Sequence, residues 1–265
     1  MCRQPHPQLF RKKNPLKQAL SKNRQTYGSW VTLAHPLIPE ILAPAGFDWL
    51  VVDMEHSSIG LPELLPLIIS IEANDIVPLV RVGEKNPNLI KRVMDAGAYG
   101  VIVPDVRTGQ EAKGAVNAVR YPPQGTRGVG LYRAHKYGRM FEAYKKWLVE
   151  ESIVIIQIEH IDAVKEIDKI LETEGLDAFM VGPYDLSASL GKPGVFDDSE
   201  VVGALEKLME ASIRHGISAG FHSASSNPDE ARKLREQGYT FLGFGVDTIF
   251  LGDAVCDALS ALRDH

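Results

Sequence analysis

The sequence predicts an α/β protein of the (β/α)₈-barrel, or TIM-barrel, class. Eight short runs rich in Val, Ile and Leu alternate with longer stretches whose apolar residues recur at helical spacing. The short runs are almost continuously apolar, which is typical of parallel strands covered on both faces. No linker rich in Pro, Gly or Ser divides the chain, so we expect one domain over 1–265. An open doubly wound sheet is the alternative architecture.

The predicted elements follow one another in regular βα order. The strands are predicted at Ser29–Leu33, Trp49–Asp53, Val77–Val82, Gly100–Val103, Ile153–Ile158, Ala178–Val181, Ser218–Phe221 and Phe241–Val246. The helices are predicted at Pro62–Ala73, Pro87–Ala96, Gln110–Val119, Phe141–Glu150, Ala163–Leu171, Glu200–His215 and Pro228–Gln237. Asn-Pro pairs at 86–87 and 227–228 indicate helix starts, and Gly97 and Gly216 indicate helix ends.

The N-terminal region precedes the first predicted strand. We expect residues 1–13 to form a flexible tail, and Asn14-Pro15 predicts an extra helix after it. No apolar run follows the basic residues of the tail, so the sequence indicates neither a signal peptide nor a transmembrane helix.

Charge and cysteine content narrow the class of protein. The net charge of −5 gives no reason to expect a nucleic-acid partner, and we expect no membrane partner either. Cys2 and Cys256 lie far apart in the sequence and form no CxxC pair, which argues against a disulfide framework or a thiolate zinc site. These features favour a cytoplasmic protein.

The connection between the fourth and fifth strands is the longest. We expect its irregular part, over 121–138, to form a lid or a substrate contact, because long loops after barrel strands often do.

Polar residues stand where several strands end, which is where TIM barrels build their active sites. In strand order these residues are Asp53, Glu55 and His56, then Arg81, then Gln157, Glu159 and His160, then Asp185, and then His222. No lysine ends a predicted strand, so a Schiff-base nucleophile is not evident. The sequence also has no GxSxG elbow and no GxxxxGK[ST] loop.

Glu159 and Asp185 follow neighbouring strands and should lie side by side at the barrel mouth. Two carboxylates with water ligands can hold Mg²⁺ or Mn²⁺ and leave positions open for a chelating substrate. A metal-free acid–base pair and simple helix capping are the alternatives, and capping is common for an aspartate in the position of Asp185.

Three further residues and one glycine-containing segment have both functional and structural interpretations. Asp53 could orient the His56 imidazole as a general base, although a strand-end histidine is often simply a hydrogen-bonded loop residue. Arg81 could bind an anionic substrate in bidentate fashion, or it could pair with Asp53 or Glu55. Gly243-Phe-Gly245 could bind phosphate, but a tight strand-to-helix turn is the favoured interpretation.

The motifs, taken in order, resemble those of the HpcH/HpaI aldolase family of metal-dependent lyases. This family acts on hydroxy-oxo-diacids and 2-keto-3-deoxy sugar acids. The resemblance runs from Asn14 to the C-terminus. It rests on the stretches Phe47–His56, Pro78–Arg81, Asp95–Gly100, Arg127–Gly130, Gln157–Glu159, Gly182–Ser187 and Gly245–Asp247.

The resemblance implies roles for the polar residues at the strand ends. Glu159 and Asp185 would bind a divalent cation (Mg²⁺, Mn²⁺ or Co²⁺). Arg81 would contact the substrate oxo group and steady the enolate. His56, with Asp53 behind it, would take part in proton transfer.

The resemblance also implies the substrate-binding residues and the assembly. Gln157 would line the pocket, and the turn made by Gly182, Pro183 and Tyr184 would hold the pyruvyl carboxylate through backbone N–H groups. Pro183 has no N–H, so Tyr184 and Asp185 would supply the donors. Tyr184 replaces a residue that is small in many relatives. The C-terminal helix would be exchanged with a partner subunit, which implies a homo-oligomer built from dimers, up to a hexamer.

The implied reaction is the reversible aldol cleavage of a 4-hydroxy-2-oxo acid to pyruvate and an aldehyde. An oxaloacetate decarboxylase similar to macrophomate synthase, or an acyl-CoA-ester lyase, would use the same metal-enolate chemistry. A metal-independent phosphate-binding barrel and a catalytically silent scaffold are the remaining alternatives.

Overall fold

A computed structural model of the protein describes residues 13–263. Its eight parallel strands pair in sequence order and close into one barrel, because the first strand also pairs with the last. The predicted TIM barrel is therefore confirmed. The strands are β1 (Thr26–Val31), β2 (Trp49–Asp53), β3 (Val77–Arg81), β4 (Gly100–Val103), β5 (Ile153–Ile158), β6 (Ala178–Val181), β7 (Ser218–Ser223) and β8 (Phe241–Val246).

Helices surround the barrel. They are α1 (Pro15–Leu20), α2 (Leu37–Leu42), α3 (Leu61–Ala73), α4 (Pro87–Ala96), α5 (Gly109–Val119), α6 (Phe141–Glu150), α7 (Ile161–Lys165), α8 (Ile167–Leu171), α9 (Pro183–Ser189), α10 (Ser199–His215), α11 (Pro228–Glu236) and α12 (Asp247–Arg263). None of the helices within 13–263 is long and apolar enough to cross a bilayer.

Strands β2 to β6 are buried on both faces, as their continuous apolar character predicts. Trp30 and Trp49 meet edge to face inside the barrel with ring centroids 5.8 Å apart. Gly28 makes room for this packing, because a Cβ at that position would lie 2.1 Å from the Trp49 ring.

The predicted N-terminal helix is present as α1 and covers the end of the barrel where the strands begin. Asn14 caps it by accepting a hydrogen bond from the N–H of Leu16 at 3.1 Å. The ammonium of Lys17 lies 2.5 Å from Asp177, just before β6. Of the predicted tail over 1–13, residues 1–12 lie outside the described residues.

The long connection between β4 and β5 was expected over 121–138 to reach the barrel mouth, and within this chain it does not. Arg127 bonds Asp95 at 2.5 Å, and Arg133 bonds Glu72 and the carbonyl of Ala96. These three acceptors lie at the C-terminal ends of α3 and α4, where the next strands begin. Ion pairs therefore hold the segment at the opposite end of the barrel, so its expected role as a lid is not supported within one chain.

Helix α12 is exposed along most of its length. Leu251, Val255, Leu259 and Leu262 form an apolar stripe on it and are 61, 56, 44 and 75% exposed. Their spacing places them on one face of the helix. Asp247, the first residue of α12, is the buried exception, since its carboxylate accepts hydrogen bonds from Thr32 and Leu33.

Candidate active site

Arg81 is buried at the C-terminal end of β3, in register with Asp53 at the end of β2. Its Nε and Nη2 donate to the two carboxylate oxygens of Asp53 at 2.9 and 2.6 Å. This is a bidentate pair that fixes the plane of the guanidinium. Burial alone would raise the pKa of Asp53, but the hydrogen bonds and charge of Arg81 outweigh it, so the pKa lies below its ordinary value.

The expected arrangement of Asp53 and His56 differs from the observed one. The carboxylate of Asp53 is directed to Arg81 and also accepts from the backbone N–H groups of Glu55 and His56 at 3.0 and 3.3 Å. The imidazole is 66% exposed, and its Nε2 lies 3.9 Å from Glu55. Asp53 thus orders the loop beneath His56, because the adjacent arginine competes successfully for both carboxylate oxygens.

Glu159 is buried just after β5, and two donors hold its carboxylate. Gln157, on the same strand, donates its side-chain amide to Oε2, and the backbone N–H of Asp105 donates to Oε1 at 2.6 Å. Asp105 adopts a left-handed backbone conformation, with φ of 49°. Burial raises the pKa of Glu159, the two donors act against this rise, and Asp185 adds to it.

The turn after β6 brings its residues to the same opening. Gly182 is the N-cap of α9, and a Cβ on it would lie 2.9 Å from Glu159 Oε2. Pro183 occupies the first helical position, so Asp185 is an exposed acidic residue of the first turn and not the N-cap. The ring of Tyr184 packs edge to face against Phe196, with centroids 5.0 Å apart.

Glu55 belongs to this cluster but was considered from the sequence only as a partner for Arg81. Its Oε2 is buried and lies 3.3 Å from Arg81 Nη1, in an ion pair whose geometry does not form a hydrogen bond. Burial, together with the nearby charges of Glu159, Asp53 and Asp185, raises the pKa of Glu55 to about 7 against the lowering effect of Arg81. Its position two residues after a strand-end aspartate was the available sequence signal.

His222, at the end of β7, also reaches the site. Its ring stacks on Trp30 with centroids 3.8 Å apart and planes inclined by 11°. His160, by contrast, caps α7 by accepting from the N–H of Asp162 at 3.1 Å. At the end of β8, Gly245 adopts φ of 66° before α12 begins, which agrees with the tight-turn interpretation of Gly243-Phe-Gly245.

Two adjoining cavities open at the barrel mouth, and His56, Arg81 and His222 line both. The first cavity, about 270 Å³, is further lined by Gln157, Val181, Gly182, Pro183, Tyr184, Asp185 and Ala224. The second cavity, about 420 Å³, is further lined by Trp30, Thr32, Leu33, Asp53, Ser57, Val246 and Thr248. The structure therefore divides the mouth into one cavity beside the carboxylates and another beside Trp30.

Glu159 and Asp185 are oxygen donors of the kind that hard divalent cations prefer. Within 13–263 no group of three or more His, Cys, Asp or Glu is arranged to hold a metal. A cation at this pair would therefore take its remaining ligands from water and substrate. The mutual repulsion of Glu55, Glu159 and Asp185 is the electrostatic condition that a bound cation would relieve.

Known proteins resemble this chain along almost its whole length. The 2-keto-3-deoxy-L-rhamnonate aldolase of Escherichia coli strain K12 is 35% identical over 256 residues, covering 94% of this chain and 93% of that protein. A 5-keto-4-deoxy-D-glucarate aldolase from E. coli O139:H28 is 35% identical over 235 residues, covering 88% of this chain and 91% of that protein.

A solved structure is also similar to this chain along almost its whole length. An HpcH/HpaI aldolase/citrate lyase family protein from Burkholderia cenocepacia superposes with a TM-score of 0.89 at 34% identity, covering 94% of this chain and 99% of that one. The model of the HpcH/HpaI aldolase/citrate lyase family matches residues 26–254. The chain therefore belongs to the HpcH/HpaI aldolase/citrate lyase family.

Proposed function

We propose that this lyase cleaves a 4-hydroxy-2-oxo acid reversibly to pyruvate and an aldehyde with the help of a divalent cation. The observation that carries the proposal is the buried Arg81–Asp53 pair, which stands beside the carboxylates of Glu55 and Glu159 at the barrel mouth. The two aldolase relatives, for 2-keto-3-deoxy-L-rhamnonate and 5-keto-4-deoxy-D-glucarate, point to keto-deoxy sugar acids as the class of substrate.

Glu159 and Asp185 are the residues that would hold the cation. When bound, a divalent cation supplies Lewis-acid stabilisation of the negative charge that develops on the pyruvyl oxygens. Gln157 and the N–H of Asp105 keep the Glu159 carboxylate in one orientation, so little reorganisation would accompany binding.

Arg81 would stabilise the same developing charge from the side of β3. Asp53 engages Nε and Nη2, while Nη1 is directed toward Glu55. The guanidinium is thereby held in place before substrate arrives, which is the arrangement that favours a transition state over a ground state.

The substrate carboxylate would be held by the turn that opens α9. The backbone N–H groups of Tyr184 and Asp185 are at the first turn of that helix and have no intrahelical acceptor. Gly182 and Pro183 would set the backbone path of this turn, and Gln157 would line the same cavity.

His56 would remove the proton from the C4 hydroxyl as the carbon–carbon bond breaks. Its imidazole lines both cavities and is largely exposed, so it can reach a substrate that spans them. In the aldol direction the same group would return the proton to the new hydroxyl.

The exposed stripe of α12 supports a homo-oligomer. Leu251, Val255, Leu259 and Leu262 lie on one helix face, and exposed apolar patches of this kind commonly form subunit contacts. We include in the proposal that α12 packs against a partner subunit.

The test of the proposed function is pyruvate release from a panel of 4-hydroxy-2-oxo acids, with oxaloacetate as a decarboxylation control. The protein is assayed in EDTA and then with Mg²⁺, Mn²⁺ or Co²⁺ added back. We expect cleavage to require the metal and to fall at least about 100-fold in Glu159→Gln. Glu142→Gln, on the exposed face of α6, is the matched control. Cleavage that persists in EDTA, or in Glu159→Gln, would refute the proposal.

A further inference from the structure

The second cavity, beside Trp30, has a lining unlike that of the cavity beside the carboxylates. Besides Asp53, which is paired with Arg81, its polar side chains that are not shared with the first cavity are chiefly the hydroxyls of Thr32, Ser57 and Thr248. Asp185 and the turn Gly182–Tyr184, which are proposed to hold the cation and the pyruvyl carboxylate, line the first cavity. Glu159 bonds Gln157 of the same lining. On the proposed function, the aldehyde half of the substrate would then extend from Arg81 and His56 into the second.

His222 stands at the junction of the two cavities in a fixed orientation. Its ring stacks on Trp30, and its Nε2 lies 3.2 Å from the carbonyl oxygen of Gly245. A carbonyl oxygen can only accept a hydrogen bond, so Nε2 must carry the proton. Burial lowers the pKa of His222 to about 4, so the ring is neutral near pH 7. Nδ1 is then an uncharged acceptor.

The cation that the second cavity does contain is already engaged. Arg81 is the one arginine or lysine among the described residues that line it, and its guanidinium is paired with Asp53 and Glu55. A second carboxylate on the substrate would therefore find no free cation in this part of the chain.

A buried carboxylate also lies behind the wall of the second cavity. Asp247 accepts hydrogen bonds from the N–H groups of Thr32, Leu33 and Thr248, each at 2.9 Å, and all three donors belong to residues of the cavity lining. The Thr32 hydroxyl donates to it at 2.6 Å. A negative charge so close to the lining would repel an anionic substrate group, because the electrostatic interaction is strong in a partly buried site.

We propose that the second cavity selects a neutral hydroxyaldehyde over an aldehyde that carries a carboxylate, with His222 as a specificity-determining residue. The neutral imidazole accepts a hydrogen bond from the terminal hydroxyl of the aldehyde half. The proposal rests on the proposed function, because it assigns the substrate of that same site.

The test compares two aldehydes in the aldol direction, with pyruvate as the common donor. Glyceraldehyde and tartronate semialdehyde differ in that the terminal CH₂OH of the first is a carboxylate in the second. We expect kcat/KM to favour glyceraldehyde by at least about tenfold. His222→Leu should lower kcat/KM for glyceraldehyde about tenfold and change it less than about twofold for tartronate semialdehyde.

Two further variants separate specificity from folding. His222→Asn retains an amide that can donate to Gly245 and accept from substrate, so it should recover most of the preference. His215→Leu removes a histidine at the C-terminal end of α10 that is paired with Asp168 of α8, and this variant should behave like the wild type. If His222→Leu does not fold, the ratio of kcat/KM for glyceraldehyde to that for tartronate semialdehyde in His222→Asn is the test of the specificity proposal.

Exchange of the pyruvate methyl protons in D₂O separates failure of this inference from failure of the proposed function. Exchange needs enolate formation but no aldehyde, so we expect it to be unchanged in His222→Leu. Normal exchange together with equal use of both aldehydes, or with equal losses for both in His222→Leu, would overturn the specificity proposal alone. Absence of exchange in the wild type with metal would overturn both proposals.

Discussion

At the level of single residues, the charged side chains of the site differ most in their exposure to solvent. Arg81 and Asp53 are almost fully buried and held in a bidentate pair, whereas the His56 imidazole is 66% exposed. Removing one partner of a buried pair leaves the other charge uncompensated, so the first two residues bear on folding as well as catalysis. His56 is free to respond to substrate.

Glu55 should make the stability of the metal-free protein depend on pH. Its pKa is about 7 in the folded chain and near 4.5 when unfolded, so the folded state retains a proton that the unfolded state has lost. The stabilising contribution is full below about pH 4.5 and is lost as the pH rises through 7.

We therefore expect the free energy of unfolding to fall between pH 5 and pH 8 by about 2 kcal/mol more in the wild type than in Glu55→Gln. Urea unfolding in EDTA at several pH values measures this difference. Glu142→Gln, whose side chain is 80% exposed, is the control and should follow the wild type. An identical pH dependence in Glu55→Gln and the wild type would show that the carboxylate titrates normally.

At the level of elements, the site is formed by the C-terminal ends of β2, β3, β5 and β7 and by the short helix α9, which follows β6. The strand ends could be predicted, because continuous apolar runs stop at Asp53, Arg81 and Gln157. Helices α2 and α9 were not predicted, since six or seven residues are too few to show a helical period. The β1 strand begins at Thr26 and not Ser29, because Gly28 obscures its pattern.

The positions of the site residues could be predicted from the sequence, but the contacts between their side chains could not. Strand position alone could place Glu159 and Asp185 at one opening, but it could not show that Arg81 would take both oxygens of Asp53. That outcome depends on the register of β2 and β3, which sets Asp53 opposite Arg81. The stacking of His222 on Trp30 depends likewise on the closure of β8 onto β1.

The junction of β6 and α9 should tolerate no side chain at position 182. A Cβ there would lie 2.9 Å from Glu159 Oε2 and 3.1 Å from the Gln157 amide. We expect Gly182→Ala to weaken Mn²⁺ binding at least about tenfold by displacing the Glu159 carboxylate.

Calorimetric titration of Mn²⁺ into the two proteins measures the effect of Gly182→Ala. Gly203→Ala, in the middle of α10 where a Cβ meets nothing within 4 Å, is the matched control. It should leave Mn²⁺ affinity unchanged and raise the free energy of unfolding by about 0.5–1 kcal/mol. Unaltered Mn²⁺ affinity in Gly182→Ala would mean that Glu159 does not bind the cation.

At the level of the whole molecule, the barrel is complete but its last helix is not packed along its length. All eight strands and their order followed from the alternation of apolar runs with helical segments, and the family and lyase class predicted from the motifs are confirmed.

The apolar face of α12 should determine the oligomeric state. We expect the wild type to be a dimer or a larger assembly, and the double variant Leu251→Asp, Leu259→Asp to dissociate to monomers, because it places charges in the middle of the stripe. Size-exclusion chromatography with light scattering measures the mass. Ser260→Asp lies on the opposite face of α12 and should leave the assembly intact. A monomeric wild type would contradict the expectation.

The most direct test of the account is whether the site forms the pyruvate enolate with a cation held by Glu159. Proton NMR in D₂O follows the loss of the pyruvate methyl signal in EDTA and after Mg²⁺ is added back. The account predicts exchange that depends on Mg²⁺ in the wild type and is at least about 100-fold slower in Glu159→Gln. Exchange that continues in EDTA, or that proceeds at the wild-type rate in Glu159→Gln, would contradict it.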